Sequence, residues 1–157
     1  MNGNITIVQK SDLPAILELQ YKAFGRVAQA ISNPNLPSLK QTLEELQEEY
    51  AEITLLKYML NDRIVGSIRA RLDDENICHI GALIVASGNQ NMGIGSALVQ
   101  AIEKQFSHCS KYALFTSLHT PNTNYLYTKL GYSEVSRGEI NGTPMIFMEK
   151  QNNEQSN

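Results

Sequence analysis

Apolar positions along the chain change period several times, and each change marks an element. Ile5-Thr6-Ile7-Val8 is a short apolar and β-branched run that predicts a first strand. Ser11 or Asp12 then caps a helix with Pro14 in its first turn, where a missing N–H costs little. Leu13, Ile16, Leu17 and Leu19 carry the 3.6-residue spacing to about Phe24. Asn33-Pro34-Asn35-Leu36-Pro37 breaks the pattern, and Ser38 with Gln41 resembles a capping box for a second helix over 39–50.

The alternation then becomes strand-like. Residues 53–60 and 64–72 predict two strands, with Asn61-Asp62 as a tight hairpin between them. A polar turn at 73–76 leads to a strand over 77–85, whose end, Ala82-Leu83-Ile84-Val85, is continuously apolar, as expected for a strand covered on both faces. A loop rich in Gly, Asn and Gln precedes a strong helix over 93–106, and 112–117 predicts another strand. Thr120-Pro121-Asn122 opens a helix ending near Leu130 at Gly131, a good residue just past a helix end. Strands over 132–139 and 144–149 flank Asn141-Gly142, a hairpin signal. The order β-α-α-β-β-β-α-β-α-β-β predicts an α/β (α+β) domain of three layers. Its sheet is mixed and mostly antiparallel, with helices on both faces. Residues 1–150 read as a single domain, and 151–157 as a polar, frayed tail.

Composition narrows the function classes. The chain has 157 residues, 42% of them hydrophobic, enough for one core. A net charge of −3 and scattered Lys and Arg offer no field for nucleic acid or an anionic membrane. No apolar stretch approaches a membrane span, and the opening Met1-Asn2-Gly3-Asn4 has no signal-peptide character, so a cytoplasmic location is expected. Cys78 and Cys109 fit neither a disulfide framework nor a metal knuckle; both are expected reduced, and no metal is expected.

The most specific local signal is Gln90-Asn91-Met92-Gly93-Ile94-Gly95 where a strand meets a helix. Two closely spaced glycines let backbone approach a ligand, and a helix N-terminus offers free N–H donors with partial positive charge, which suits a diphosphate. Ser96 adds a hydroxyl, and no acid lies between Ala86 and Gly95. A tight turn with no ligand is the competing interpretation. The Gly-Lys-Ser/Thr of a P-loop is missing. So are the third glycine of a dinucleotide fold, replaced by Leu98, and its acidic residue on the next strand. Coenzyme A, which needs neither magnesium nor a ribose-reading acid, remains.

With Gln90, Gly93 and Gly95 matching Gln/Arg-x-x-Gly-x-Gly/Ala, the chain resembles the GNAT superfamily of N-acetyltransferases. The preceding strand His79-Ile80-Gly81-Ala82-Leu83-Ile84-Val85 and the later Asn124-Tyr125-Leu126-Tyr127-Thr128-Lys129-Leu130-Gly131-Tyr132 are similar to the family's as well. The element order agrees from about Asn4 to Lys150. Asn91 and Met92 stand where many relatives carry Lys or Arg, which leaves the diphosphate to backbone donors.

The resemblance implies acetyl-CoA as cosubstrate and direct attack by a primary amine, on a small molecule or a peptide, without an acyl-enzyme. It implies that Leu83, Ile84 and Val85 hold the pantetheine arm and that one of their N–H groups polarises the thioester carbonyl. Tyr127, four residues before Gly131, is implied as general acid toward the leaving thiolate, with simple packing as the alternative. Asn122 or Asn124 could reach the pantetheine amide or merely cap the helix. His79 occupies a strand position where some members carry a glutamate base. An imidazole titrating near pH 6.5 in solution could serve there directly or through water, though a half-buried histidine packing on a strand face is the leading alternative. His108 and His119 have weaker claims. The acceptor surface is expected from residues 20–50 and 73–76; Glu44, Glu45, Glu48 and Glu49 read as a solvated helix face. A non-catalytic acyl-CoA sensor on the same fold is the alternative, and an exposed strand edge permits a homodimer.

Overall fold

The computed structural model describes residues 3–31, 37–118, 121–140 and 142–152. Along the chain follow β1 (Asn4–Ile7), α1 (Leu13–Ile31), α2 (Pro37–Lys40), α3 (Leu43–Tyr50), β2 (Thr54–Leu60), β3 (Arg63–Leu72), β4 (Ile77–Val85), α4 (Ile94–Gln105), β5 (Lys111–Ser117), α5 (Pro121–Lys129), β6 (Ser133–Ile140) and β7 (Thr143–Gln151). The strands form one seven-stranded sheet in the order β1-β2-β3-β4-β5-β7-β6. Every neighbouring pair is antiparallel except β4 and β5, so the sheet is mixed as expected.

Two apolar layers hold the helices to the sheet. On one face Leu13, Ile16 and Leu17 of α1 and Leu46 of α3 pack with Val8 and Leu55. On the other, Leu98, Val99 and Ile102 of α4 and Tyr127 of α5 close over Ile68, Cys78, Ile80, Leu114, Ile146 and Met148. Fully burying a side chain of this size contributes about 1.5–3 kcal/mol. The first layer is also locked by a polar ring. Arg69 donates to Glu49 at 2.8 Å and to Gln20 at 2.7 Å, while Gln41 donates to Glu49 at 2.7 Å and accepts from Gln20 at 3.0 Å.

Local chemistry accounts for where elements depart from expectation. The first helix runs past Phe24 to Ile31, because Ala28, four residues on, continues the buried stripe and Gly25 costs only about 1 kcal/mol in a helix. The capping box is Thr42 with Glu45, not Ser38 with Gln41. Thr42 Oγ1 accepts from the Glu45 N–H at 3.1 Å and the Glu45 carboxylate accepts from the Thr42 N–H at 2.9 Å. Gln41 is committed to the polar ring instead. The expected tail begins later than Gln151. β7 includes Gln151, and Asn152 is buried with its amide donating to the Ser107 and Cys109 carbonyls, both at 2.8 Å.

The feature that shapes the rest is a bulge in β4. Ser67 pairs with Ile84 but Arg69 pairs with Gly81, so Ala82 and Leu83 together oppose Ile68. Ala82 takes a φ of 47°, the left-handed region that costs a non-glycine residue about 1–2 kcal/mol. The extra residue resets the alternation of the strand. Cys78 and Ile80 face α4 before the bulge, and Leu83 and Val85 pack on that same side after it. We expect Ala82→Gly to leave stability unchanged or raise it by up to about 1 kcal/mol, and Ala82→Val to lower it by at least about 1 kcal/mol. Urea unfolding of both variants checks this, and equal midpoints for Gly and Val would refute strain at the bulge.

Candidate functional site

β4 and β5 pair only through Ile77–Lys111, Cys78–Tyr112 and His79–Ala113. Past those rungs the parallel strands part. The Ala86 N–H donates to the Val65 carbonyl at 2.8 Å. Because partner-facing residues alternate in an antiparallel ladder, Ile84 also turns its backbone to β3, and the N–H and C=O of Leu83 and Val85 point into the gap. Of the three residues expected here, Ile84 is therefore corrected: it is buried and pairs with Ser67.

A cavity of about 440 Å³ opens from this gap. Leu83 and Val85 form one wall, Asn89, Gln90, Asn91, Gly93, Ile94, Gly95 and Ser96 the end, and Thr123, Tyr125, Leu126 and Lys129 of α5 the far side. The loop is built for backbone exposure. Asn91 has a φ of 64° and Gly93 a φ of 81°, and Gly93 occupies the N-cap of α4 without a capping side chain. A Cβ at Gly93 would meet nothing within 4 Å, so its face is open. Gly95 has another reason: a Cβ there would lie 3.2 Å from Leu126 Cδ2, so it lets α5 approach α4. Met92, expected in the loop's contact set, is 41% exposed and does not line the cavity.

The Asn124 amide donates to the Ser117 carbonyl at 3.3 Å, and its Oδ1 is buried without a hydrogen-bond partner among the described residues. Such an orphaned acceptor costs about 1–3 kcal/mol, and a ligand N–H would satisfy it. The side chain of Asn122 and all of His119 lie outside the described residues. Sequence reasoning missed Asn89, Thr123, Tyr125, Leu126 and Lys129. The signal available was the helical spacing of Leu126 and Lys129 on α5. Lys129 supplies the cavity with a cation that positions 91 and 92 lack, and no Asp or Glu among the described residues lines it.

The two expected catalytic side chains are not brought together in the cavity. Tyr127 is buried in the α4-side core, edge-on to Tyr132 with ring centroids 5.9 Å apart. Burial pushes its phenol above its ordinary pKa, so it stays protonated at neutral pH. His79 lies between Cys78 and Ile80 and so faces the opposite side of the sheet. Its Nε2 is 2.6 Å from Asp73 Oδ2. The hydrogen bond from His79, with N–H donors from Ile77 and Glu75, holds the Asp73 carboxyl below its usual range. An ionised Asp73 accepts, so the bond is made by the tautomer that carries hydrogen on Nε2. Cys78 and Cys109 are free and buried; burial pushes the Cys78 thiol up to about 12, which removes it as a nucleophile at neutral pH. No group of His, Cys, Asp and Glu among the described residues could hold a metal ion. None of the described helices is long and apolar enough to cross a membrane.

Comparison with known proteins shows the family to which this fold belongs. Residues 27–152 match the family model described as an acetyltransferase (GNAT) domain. The chain belongs to the GNAT acetyltransferases, acyltransferases that use acetyl-CoA. The PaiA N-acetyltransferase of Thermoplasma acidophilum, solved with coenzyme A, is 16% identical with a TM-score of 0.81, over 96% of this chain and 99% of that one. A GNAT-family acetyltransferase of Staphylococcus aureus Mu50 is 17% identical at a TM-score of 0.78, over 96% and 99%. A chimera of the spermidine N-acetyltransferase SpeG of Vibrio cholerae with hSSAT is 16% identical at 0.76, over 100% and 99%. Among curated proteins none matches.

The Asp73 pair has a signed consequence. A carboxyl whose folded pKa is depressed contributes stability above its unfolded value near 3.9, and that contribution is lost as pH falls through the folded value. Asp73→Asn should therefore lower the urea midpoint at pH 6, with the gap from the native protein closing below about pH 4. A gap unchanged down to pH 2.5 would contradict it.

Proposed function

We propose that this protein transfers the acetyl group of acetyl-CoA to a primary amine by direct attack, with coenzyme bound in the gap between β4 and β5. The observation that carries this reading is the gap itself. It exposes the backbone of Leu83 and Val85 beside a left-handed, uncapped helix N-terminus; the orphaned Asn124 Oδ1 lies at the end of β5, outside the residues that line the cavity. Gln90, Asn91, Gly93, Ile94, Gly95 and Ser96 would hold the diphosphate through N–H donors and the α4 dipole, with Lys129 adding charge. Asn124, rather than Asn122, would accept from a pantetheine amide. The N–H of Leu83 or Val85 would polarise the thioester carbonyl.

In the reaction the neutral amine nitrogen bonds to the carbonyl carbon, the C–S bond breaks, and the products are an N-acetyl amide and the coenzyme thiol. The thiolate takes one proton and the amine nitrogen loses one. Tyr127, adjacent to the cavity-lining Leu126, is the proposed hydrogen-bond or proton donor to sulfur; burial keeps its phenol protonated and also makes it a weaker acid than a free tyrosine. His79 Nδ1, directly or through water, is the proposed proton acceptor, and Asp73 fixes the imidazole tautomer. Buried, protonated thiols at Cys78 and Cys109 favour direct transfer over an acyl-cysteine.

Gly93→Val places a branched side chain into the open face of the loop and strains its left-handed backbone. It should raise the coenzyme A Kd at least tenfold, while Gly93→Asn, which tolerates that conformation, should weaken binding less. Calorimetric titration checks both, and an unchanged Kd for the valine variant would dislodge the diphosphate from this loop. Tyr127→Phe should lower kcat about 10²-fold or more with coenzyme affinity within a factor of two. A kcat and pH–rate profile matching the native enzyme would strip Tyr127 of its acid role.

A further inference from the structure

The face of the sheet opposite the coenzyme cavity is covered unevenly. Tyr112 and Leu114 of β5 and Ile146 and Met148 of β7 point into the α4-side core, so Ala113, Phe115 and Phe147 point the other way. Helices α1 and α3 close over Val8 and Leu55 near the other end of the sheet, and Phe115 is left 51% exposed. Phe115 and Phe147 are opposed across the β5–β7 ladder, with ring centroids 6.1 Å apart and planes inclined at 53°. Gly138 on β6 leaves room beneath them, since a Cβ there would sit 3.2 Å from Phe147 Cε2. The result is a tilted aromatic shelf.

Its position suggests its use. Ala113 is the last β5 residue paired with β4, and Phe115 is two residues beyond it, at the mouth of the gap. His79 is the β4 residue paired with Ala113, and it faces the same side as Phe115. A nucleophile must reach the thioester from a direction the coenzyme arm does not fill. The arm's cavity opens on the α4 and α5 side. The acceptor is left the side that carries His79 and the shelf. On this face His79 pairs with Asp73 at 2.6 Å and Lys111 with Glu149 at 3.0 Å, while Arg71 of β3, opposite His79 in the register, adds an exposed cation.

We infer that Phe115 and Phe147 form the acceptor subsite, and that the preferred substrate is a primary amine on an aryl or alkyl body, its apolar part on the two rings and its nitrogen toward the gap. This rests on the acetyl-transfer reading above. Stacking on Phe beyond simple burial is worth enough to change affinity severalfold, and covering an exposed ring adds to it.

Thiol release from acetyl-CoA is measured with 2-phenylethylamine, hexylamine, spermidine and lysine, for the native enzyme, Phe115→Ala, Phe147→Ala and Phe115→Leu. Calorimetry with coenzyme A accompanies each, and unchanged coenzyme binding certifies that a variant is folded. The expected result is the highest kcat/KM for 2-phenylethylamine. Its KM should rise about tenfold in Phe115→Ala and recover in part in Phe115→Leu, with coenzyme Kd within a factor of two. Higher kcat/KM for spermidine or lysine, or an alanine variant with native KM, would overturn the subsite. So would sedimentation showing a native dimer that Phe115→Ala dissociates, because a second copy would then cover the shelf. Coenzyme binding without turnover of any amine would overturn the acetyl-transfer reading and this inference with it, a result distinct from the other failures.

Discussion

A β-strand that gives up its neighbour exposes backbone donors and acceptors, and burying them unpaired would cost several kcal/mol. That constraint organises this molecule. β4 leaves β5 after three rungs, and the bulge at Ala82 decides what the freed stretch presents. Without the extra residue, Leu83 and Val85 would turn their side chains to the α1 side. With it, they line the α4-side cavity while their backbone groups face the gap. The strain at Ala82 is retained because the register on both sides of the bulge is fixed by β3.

The second half of the site depends on α5 reaching α4. Gly95 permits that approach, and it brings Leu126 against the start of α4 while Asn124 hangs over the end of β5. Glycine at 95 is thus explained by helix packing as much as by a ligand, whereas glycine at 93 is explained by its φ of 81° and the open space before it. Two glycines of one motif do different physical work. Asn124 spends one amide hydrogen bond on Ser117, and its oxygen has no partner among the described residues.

Much of the fold was legible because local and global signals agreed. The Asn61-Asp62 turn, with φ of 53° and 63°, the strand over 77–85 and the helix after Gly93 follow from turn chemistry and periodicity. Resemblance through Gln90, Gly93 and Gly95 pointed to the GNAT family, which the family model over residues 27–152 bears out. What escaped notice depends on tertiary partners. The choice of Thr42 over Ser38 as cap turns on Gln41 joining a ring with Gln20, Glu49 and Arg69. The bulge carries no glycine at its left-handed position to advertise it. Burial of Tyr127 against Tyr132, and the side of the sheet that His79 takes, depend on strand parity that only the register reveals.

Hydrogen–deuterium exchange with and without coenzyme A tests the central claim most directly. Amides of Leu83, Val85 and residues 93–96 should slow together on adding coenzyme, while those of Ile84 and Ala86, already turned to β3, should change little. Protection confined to another surface, or uniform along β4, would contradict a coenzyme site built from the gap between the parted strands.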